Sequence, residues 1–292
     1  MIKKLFAFLA VLCLFLGCSK DLHVQIPSYI QIDNYKTKVT ANTQGTSNQN
    51  FTDMLVYANG QTYGIYPLGA KIPVLTSGLT SFTIRGVVRM NGIDILRSDY
   101  EVMKGCDTVI NVTPGQVTHV VPVFEYFKAA QFPWIDGLDG NGLDSCSGGT
   151  SCGALIASYT GHPETATSYS PGYSGKCLAL RPNDSISCCT YASVQSSTTI
   201  GLPGGGVGVY MELNYQSNVI IQVYISTDGG AQTDCGGIYP SATWQKMYLN
   251  LTEQVSSLQS RSGAFTIYFV ASYDGNPNDQ ALIDDIKIVT AR

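Results

Sequence analysis

The side chains in this sequence that could do chemistry are mostly oxygen donors and aromatic rings. Asp136-Gly-Leu-Asp139-Gly-Asn141-Gly142 holds three oxygen-bearing side chains in one glycine-rich run, and Asp284 stands in the apolar segment Ile283-Asp284-Asp285-Ile286-Lys287-Ile288. Read as a strand of period two, that segment places Leu282, Asp284, Ile286 and Ile288 on one face and Asp285 and Lys287 on the other. With the apolar face inward Asp284 is at least partly buried, and a buried carboxylate needs backbone N–H donors, an arginine or a metal. The aromatic set is Tyr169, Tyr173, Tyr215, Tyr239 and Tyr273, in or near expected loops and strand ends. A pyranose face stacks on such rings while polar neighbours orient its hydroxyls. The plain alternative for each tyrosine is packing, since tyrosine is ordinary in strands. Asp274, Asn276, Asn278 and Asp279 make an acidic-polar loop that could hold a ligand or a cation, or simply be solvated.

Catalytic signatures are missing. The sequence has no H-E-x-x-H and no P-loop, and only three histidines. The run Gly204-Gly205-Gly206-Val207-Gly208 lacks the dinucleotide-binding frame. The expectation is therefore a protein that is not an enzyme and requires no cofactor. An unrecognised hydrolase is the weakest alternative, because two carboxylates suffice for glycoside cleavage. A net charge of −4, with no run of Lys and Arg, argues against a nucleic-acid partner.

The N-terminus carries its own chemistry. Lys3 and Lys4 precede an apolar run from Leu5 to Leu16, too short to span a bilayer as a helix but right for a signal peptide. Leu14-Phe15-Leu16-Gly17-Cys18 resembles a lipobox, so residues 1–17 are expected to be removed and Cys18 lipidated, followed by a tether at 18–25. Phe15 is a less usual residue at its place. Acyl chains on Cys18 would hold the protein on a membrane. An exported chain favours disulfides over zinc, and no C-x-x-C occurs. The disulfide candidates are Cys146, Cys152, Cys177, Cys188, Cys189 and Cys235, with Cys106 as the thiol left over.

The elements that must position these groups are strands. Alternation in Met54–Tyr57 and Thr62–Tyr66 around Asn59-Gly60 marks a hairpin. Further strands are expected at Lys71–Leu75, Ser81–Met90, Thr108–Val112 and Val117–Phe124, with turns at Ser77-Gly78, Asn91-Gly92 and Pro114-Gly115. This makes residues 26–126 an immunoglobulin-like small β-sandwich, and 127–131 a linker. The second domain, 132–292, has strand patterns at Val207–Tyr215, Val219–Ser226, Gln245–Leu251, Ala264–Tyr273 and Ala281–Val289. The whole chain reads as all-β.

In that second domain, Phe132-Pro133-Trp134, the Asp136–Gly142 run, Leu202-Pro203-Gly204-Gly205, Val223–Gly229, Trp244–Leu251 and Ile283–Ile288 follow one another in an order that resembles cleaved-adhesin or choice-of-anchor J domains. These are jelly-roll β-sandwiches related to carbohydrate-binding modules and MAM-type domains. Where the family has a more acidic run with a tryptophan soon after, this chain has Asp144-Ser145-Cys146. The resemblance implies a structural Ca²⁺ where the first and last strands meet, with Asp136, Asp139, Asn141 and Asp284 as its ligands. A glycine turn and backbone hydrogen bonds to Asp284 would serve the same residues without a metal. It also implies a surface binding or adhesion protein for glycan or a protein partner. The candidate ligand contacts, taken from ring chemistry and expected loop position, are Tyr169, Tyr173, Tyr239, Tyr273, Asp274 and Asn276. The localisation expected is the outer membrane, lipid-anchored, at the cell surface or on the periplasmic face. The alternative is a structural subunit of a surface assembly.

Overall fold

The computed structural model describes residues 25–137, 142–145, 151–152, 154–158, 176–181, 190–227, 230, 232–258 and 263–291, and their regular secondary structure is nearly all strand. In the first half, Asp53–Ala58, Gln61–Pro67, Gly78–Arg89, Arg97–Asp99 and Cys106–Val112 form a five-stranded antiparallel sheet. Its hairpin turns at Asn59 (φ 48°) and Gly60 (φ 78°), the two positive angles that a two-residue turn matched to strand twist requires. Opposite lie two three-stranded sheets. Ser28–Gln31 is central in one, between Val117–His119 and Lys71–Val74. Val123–Tyr126 is central in the other, between Lys36–Lys38 and Met103–Lys104. The expected strand Val117–Phe124 is thus split between two sheets. Pro122, without an N–H to donate, stands at the break, and its carbonyl accepts from Lys36 N at 2.9 Å. Ile30, Met54, Val56, Phe82 and Phe124 fill the space between the layers.

The second half is a jelly-roll sandwich. Its front sheet runs Ala154–Ser158, Lys176–Leu180, Ala281–Thr290, Val209–Ser217, Ser241–Asn250, with Gln131–Asp136 also paired to Ala281–Thr290. The rear sheet runs Leu143–Ser145, Tyr191–Ser196, Ala264–Ser272, Ile221–Thr227, Thr233–Ile238. Met211, Leu213, Val223, Ile267, Phe269, Ile286 and Ile288 make the core between them. Among the described residues no helix is long and apolar enough to cross a membrane.

Ala281–Thr290 departs from simple alternation. Asn214 pairs with Asp284 while Glu212 pairs with Lys287, so this strand carries one extra residue, and Asp285 takes φ 49° at the bulge. Before the bulge Ala281 and Ile283 face the core; after it Ile286 and Ile288 do. Asp284 therefore lies on the outer face with Leu282, opposite to the face expected for it, yet it is only 1% exposed.

That outer face is buried because the first half covers it. Tyr210, Tyr248 and Val289, from three front-sheet strands, belong to the core of the first half. The segment expected as a linker is packed as well: Ala130 is buried, and Gln131 already begins a strand. The first half's core thus extends onto the outer face of the front sheet, while the sandwich keeps a separate core of its own.

Candidate functional site

The junction is built from a turn and a charge cluster. At the Asn91-Gly92 turn both residues have positive φ, and Asn91 N donates to Tyr248 O at 2.7 Å while its Oδ1 accepts from Asn250 N at 2.8 Å. Beneath the junction lies Glu212, fully buried. Its Oε2 is 3.3 Å from the ammonium groups of both Lys246 and Lys287 and accepts from Gln49 Nε2 at 2.9 Å. Its Oε1 accepts from the hydroxyls of Tyr100 at 2.7 Å and Tyr126 at 2.6 Å. The Tyr248 hydroxyl holds Gln49 Oε1 at 2.8 Å, and Lys287 Nζ donates to the carbonyls of Gln44 and Thr46. Gln49, Tyr100 and Tyr126 come from the first half; the charges come from the second.

Burial alone would push the Glu212 carboxyl up, but the two ammonium groups and two phenols outweigh it and hold it at about 2. Burial pulls Lys287 down to about 8, against the attraction of Glu212. The Tyr100 and Tyr126 phenols are pushed well above their ordinary range, first by burial and then by the adjacent carboxylate. They stay protonated as donors.

Beside this cluster, between the halves, opens a cleft of about 340 Å³. The first half contributes Asn50, Thr52 and the Arg89–Asp94 ion pair; the second contributes Tyr215, Pro240, Ser241, Gln245 and Tyr248. The Asn50 backbone N–H donates to the Tyr248 hydroxyl at 2.8 Å, but its side-chain amide has no hydrogen-bond partner among the described residues, and Gln245 uses only its Nε2, toward Thr243 Oγ1 at 3.1 Å. Tyr239, 71% exposed, directly precedes Pro240 on the rim. Concavity and unspent amides suit recognition of a polar ligand; Tyr215 and Tyr248 edge the cleft but are only 7% and 2% exposed.

No family model matches the chain, and no curated protein matches it. Among solved structures, it is similar to a point mutant of a family 29 carbohydrate-binding module complexed with cellulohexaose, at 12% identity over 56% of this chain and 94% of the other, TM-score 0.34. A further mutant of that module, complexed with mannohexaose, gives 13% identity over 56% and 91%, TM-score 0.33. A family 29 module without a stated ligand gives 14% over 56% and 88%, TM-score 0.32. Superpositions this loose decide neither the site nor the ligand.

The expected site residues scatter. Tyr239 is exposed next to Pro240 but does not itself line the cleft, whereas Tyr273, just past the Ala264–Ser272 strand, is 9% exposed and packed in the sandwich core. Asp274 and Asn276 cap their own loop, accepting from the backbone of Asn276 at 3.2 Å and of Asn278 at 3.0 Å. Asp136 pairs with Ile286 and faces inward, whereas Asp284 faces outward and accepts from Asp285 N at 2.7 Å. The two carboxylates thus lie on opposite sides of the front sheet and do not form one calcium site. A Cβ on Gly142 would fall 1.8 Å from Asp136 Oδ2, so the glycine lets the chain pass over that carboxylate. No group of three or more His, Cys, Asp or Glu that could hold a metal ion occurs among the described residues.

Cys177 and Cys235 are free thiols rather than disulfide partners, as is Cys106. They cannot bond to each other: Cys235 lies in the sandwich core, and Cys177 on the outer face with Ala179 and Leu282. Cys18, Asp139, Asn141, Cys146, Tyr169, Tyr173, Cys188 and Cys189 lie outside the described residues, as does the side chain of Cys152.

Sequence reasoning missed Glu212, Asn50, Gln245 and the Arg89–Asp94 pair. One signal was available: Tyr210, Glu212 and Asn214 share a face that ordinary alternation turns to solvent. Two aromatic-rich strands and a lysine on that face point to a covered surface only once the partner half is in view.

Proposed function

We propose that this protein is an exported, membrane-anchored, non-catalytic binding protein whose junction cleft takes glycan. The carrying observation is the cleft itself, where the unspent Asn50 side-chain amide and Gln245 Oε1 line one concavity between two halves locked together by Glu212. Rigid halves keep a cleft preformed, which lowers the ordering cost of binding. Lipidation of Cys18 supplies the anchor in this reading, and surface exposure supplies access to glycan.

A glycan array probed with the purified protein tests the ligand class. Binding that the Asn50→Ala and Gln245→Ala changes abolish, in variants that still fold, supports it. A blank array with a stoichiometric partner on co-purification replaces it with the structural-subunit reading. Intact mass of the membrane-extracted protein, with and without Cys18→Ser, tests the anchor.

A further inference from the structure

The sequence shows no run of basic residues, yet the fold assembles one from distant segments. In the Lys36–Lys38, Val123–Tyr126, Met103–Lys104 sheet, Glu125 pairs directly with Lys38 on one side and Lys104 on the other. Residues paired this way share a face, so Lys38, Glu125 and Lys104 form a row across the sheet. Lys36 lies on the same face two residues before Lys38, and Lys128 follows the strand's end. Val123 and Phe127, 46% and 42% exposed, continue that face along the central strand. Lys38, Lys104, Phe127 and Lys128 line a groove of about 780 Å³. One carboxylate answers three lysines: Glu125 reaches Lys104 at 3.7 Å, and among the described residues neither Lys38 nor Lys128 has a carboxylate within ion-pair distance. Such a concentration of unbalanced positive charge is notable in a chain of net charge −4.

The geometry points to a second binding site, for an acidic glycan bearing carboxylates along a pyranose chain. Lys38 and Lys104 flank the central strand, about 10 Å apart, twice the strand spacing, with Glu125 between them and Val123 and Phe127 before and after it along the strand. The C–H faces of the sugar rings would rest on Val123 and Phe127, and carboxylates on successive units would meet Lys38, Lys104 and Lys128. The concave shape favours a chain laid lengthwise over a flat lipid surface, and three or four lysines are too few for a nucleic-acid backbone. This groove is separate from the cleft of Asn50 and Gln245 and does not depend on it.

Calorimetric titration of the purified protein with hexameric oligogalacturonate, and with its methyl ester, tests the inference. The acid is expected to bind, more weakly as salt rises. The methyl ester, equal in shape but uncharged, is expected to bind at least about tenfold more weakly, since each exposed pair contributes roughly threefold. Lys38→Gln with Lys104→Gln should lose about as much as esterification does, and Phe127→Ala should weaken both ligands. Asn50→Ala and Gln245→Ala should leave oligogalacturonate binding unchanged even if they abolish the array signal, which separates the two sites. Equal binding of acid and ester, unchanged affinity in the lysine variant, no binding, or binding to phosphatidylglycerol vesicles alone would each overturn it.

Discussion

Glu212 and Lys287 stand directly opposite each other on neighbouring strands, with their charged groups 3.3 Å apart and both side chains shut off from water. A buried ion pair is weak evidence of stability by itself, because desolvation offsets attraction. Here the carboxylate also accepts from Gln49, Tyr100 and Tyr126 of the first half, so the cluster fixes how the halves meet.

Removing the anion should be costly. Glu212→Gln removes the carboxylate that lies within ion-pair distance of both buried ammonium groups, Lys246 and Lys287, and is expected to lower stability by about 3–5 kcal/mol. Urea unfolding of the variant against the parent measures it. A loss within a few tenths would mean the cluster does not hold the halves together.

The same group predicts an acid limb. Glu212 is held at about 2 in the folded protein against an ordinary 4.5, so its contribution is complete above 4.5 and is lost as pH falls toward 2. Lys287 shifts stability with pH in the same direction, in a higher window, because burial penalises its charged form. Its folded value of about 8 lies below an ordinary 10.5, so it adds stability as pH rises between those values. Melting temperature followed across pH should fall steeply below 4.5, and much less so in Glu212→Gln.

The clasp turn makes a narrower prediction. Gly92 has φ +67°, and a Cβ there would lie 2.9 Å from Met247 Cε. Gly92→Ala should destabilise by about 1 kcal/mol from the backbone alone. Because the methionine end is flexible, adding Met247→Ala should relieve little of that loss. Full rescue in the double variant would show that contact, rather than backbone, sets the cost.

Thiol chemistry can be read directly. Burial pushes Cys177 and Cys235 up to about 12, so both should resist alkylation in the native protein and react fully once it is unfolded without reductant. Peptide mass spectrometry reports each site separately. Labelling that requires reductant would show a disulfide.

Much of the fold was legible locally. Asn59-Gly60 and Asn91-Gly92 are turns as their residue types demand, and the strand patterns at Ala264–Tyr273 and Ala281–Val289 stand within about a residue of the observed elements. Period-two reasoning failed at Asp284 because one bulge residue, Asp285, reverses every face before it relative to those after it. The site was not legible, for a related reason. Glu212, Lys287 and Asn214 read as solvent-facing until a second sandwich covers them, and Lys38, Glu125 and Lys104 become neighbours only through pairing of distant strands. Both features are long-range.

The most direct test is a titration of the best glycan-array ligand into the protein and into the Asn50→Ala, Gln245→Ala double variant, with melting temperatures measured alongside. The cleft reading predicts saturable binding that the double variant loses by tenfold or more, about 1.4 kcal/mol, at an unchanged melting temperature. Equal affinity in both proteins would contradict it.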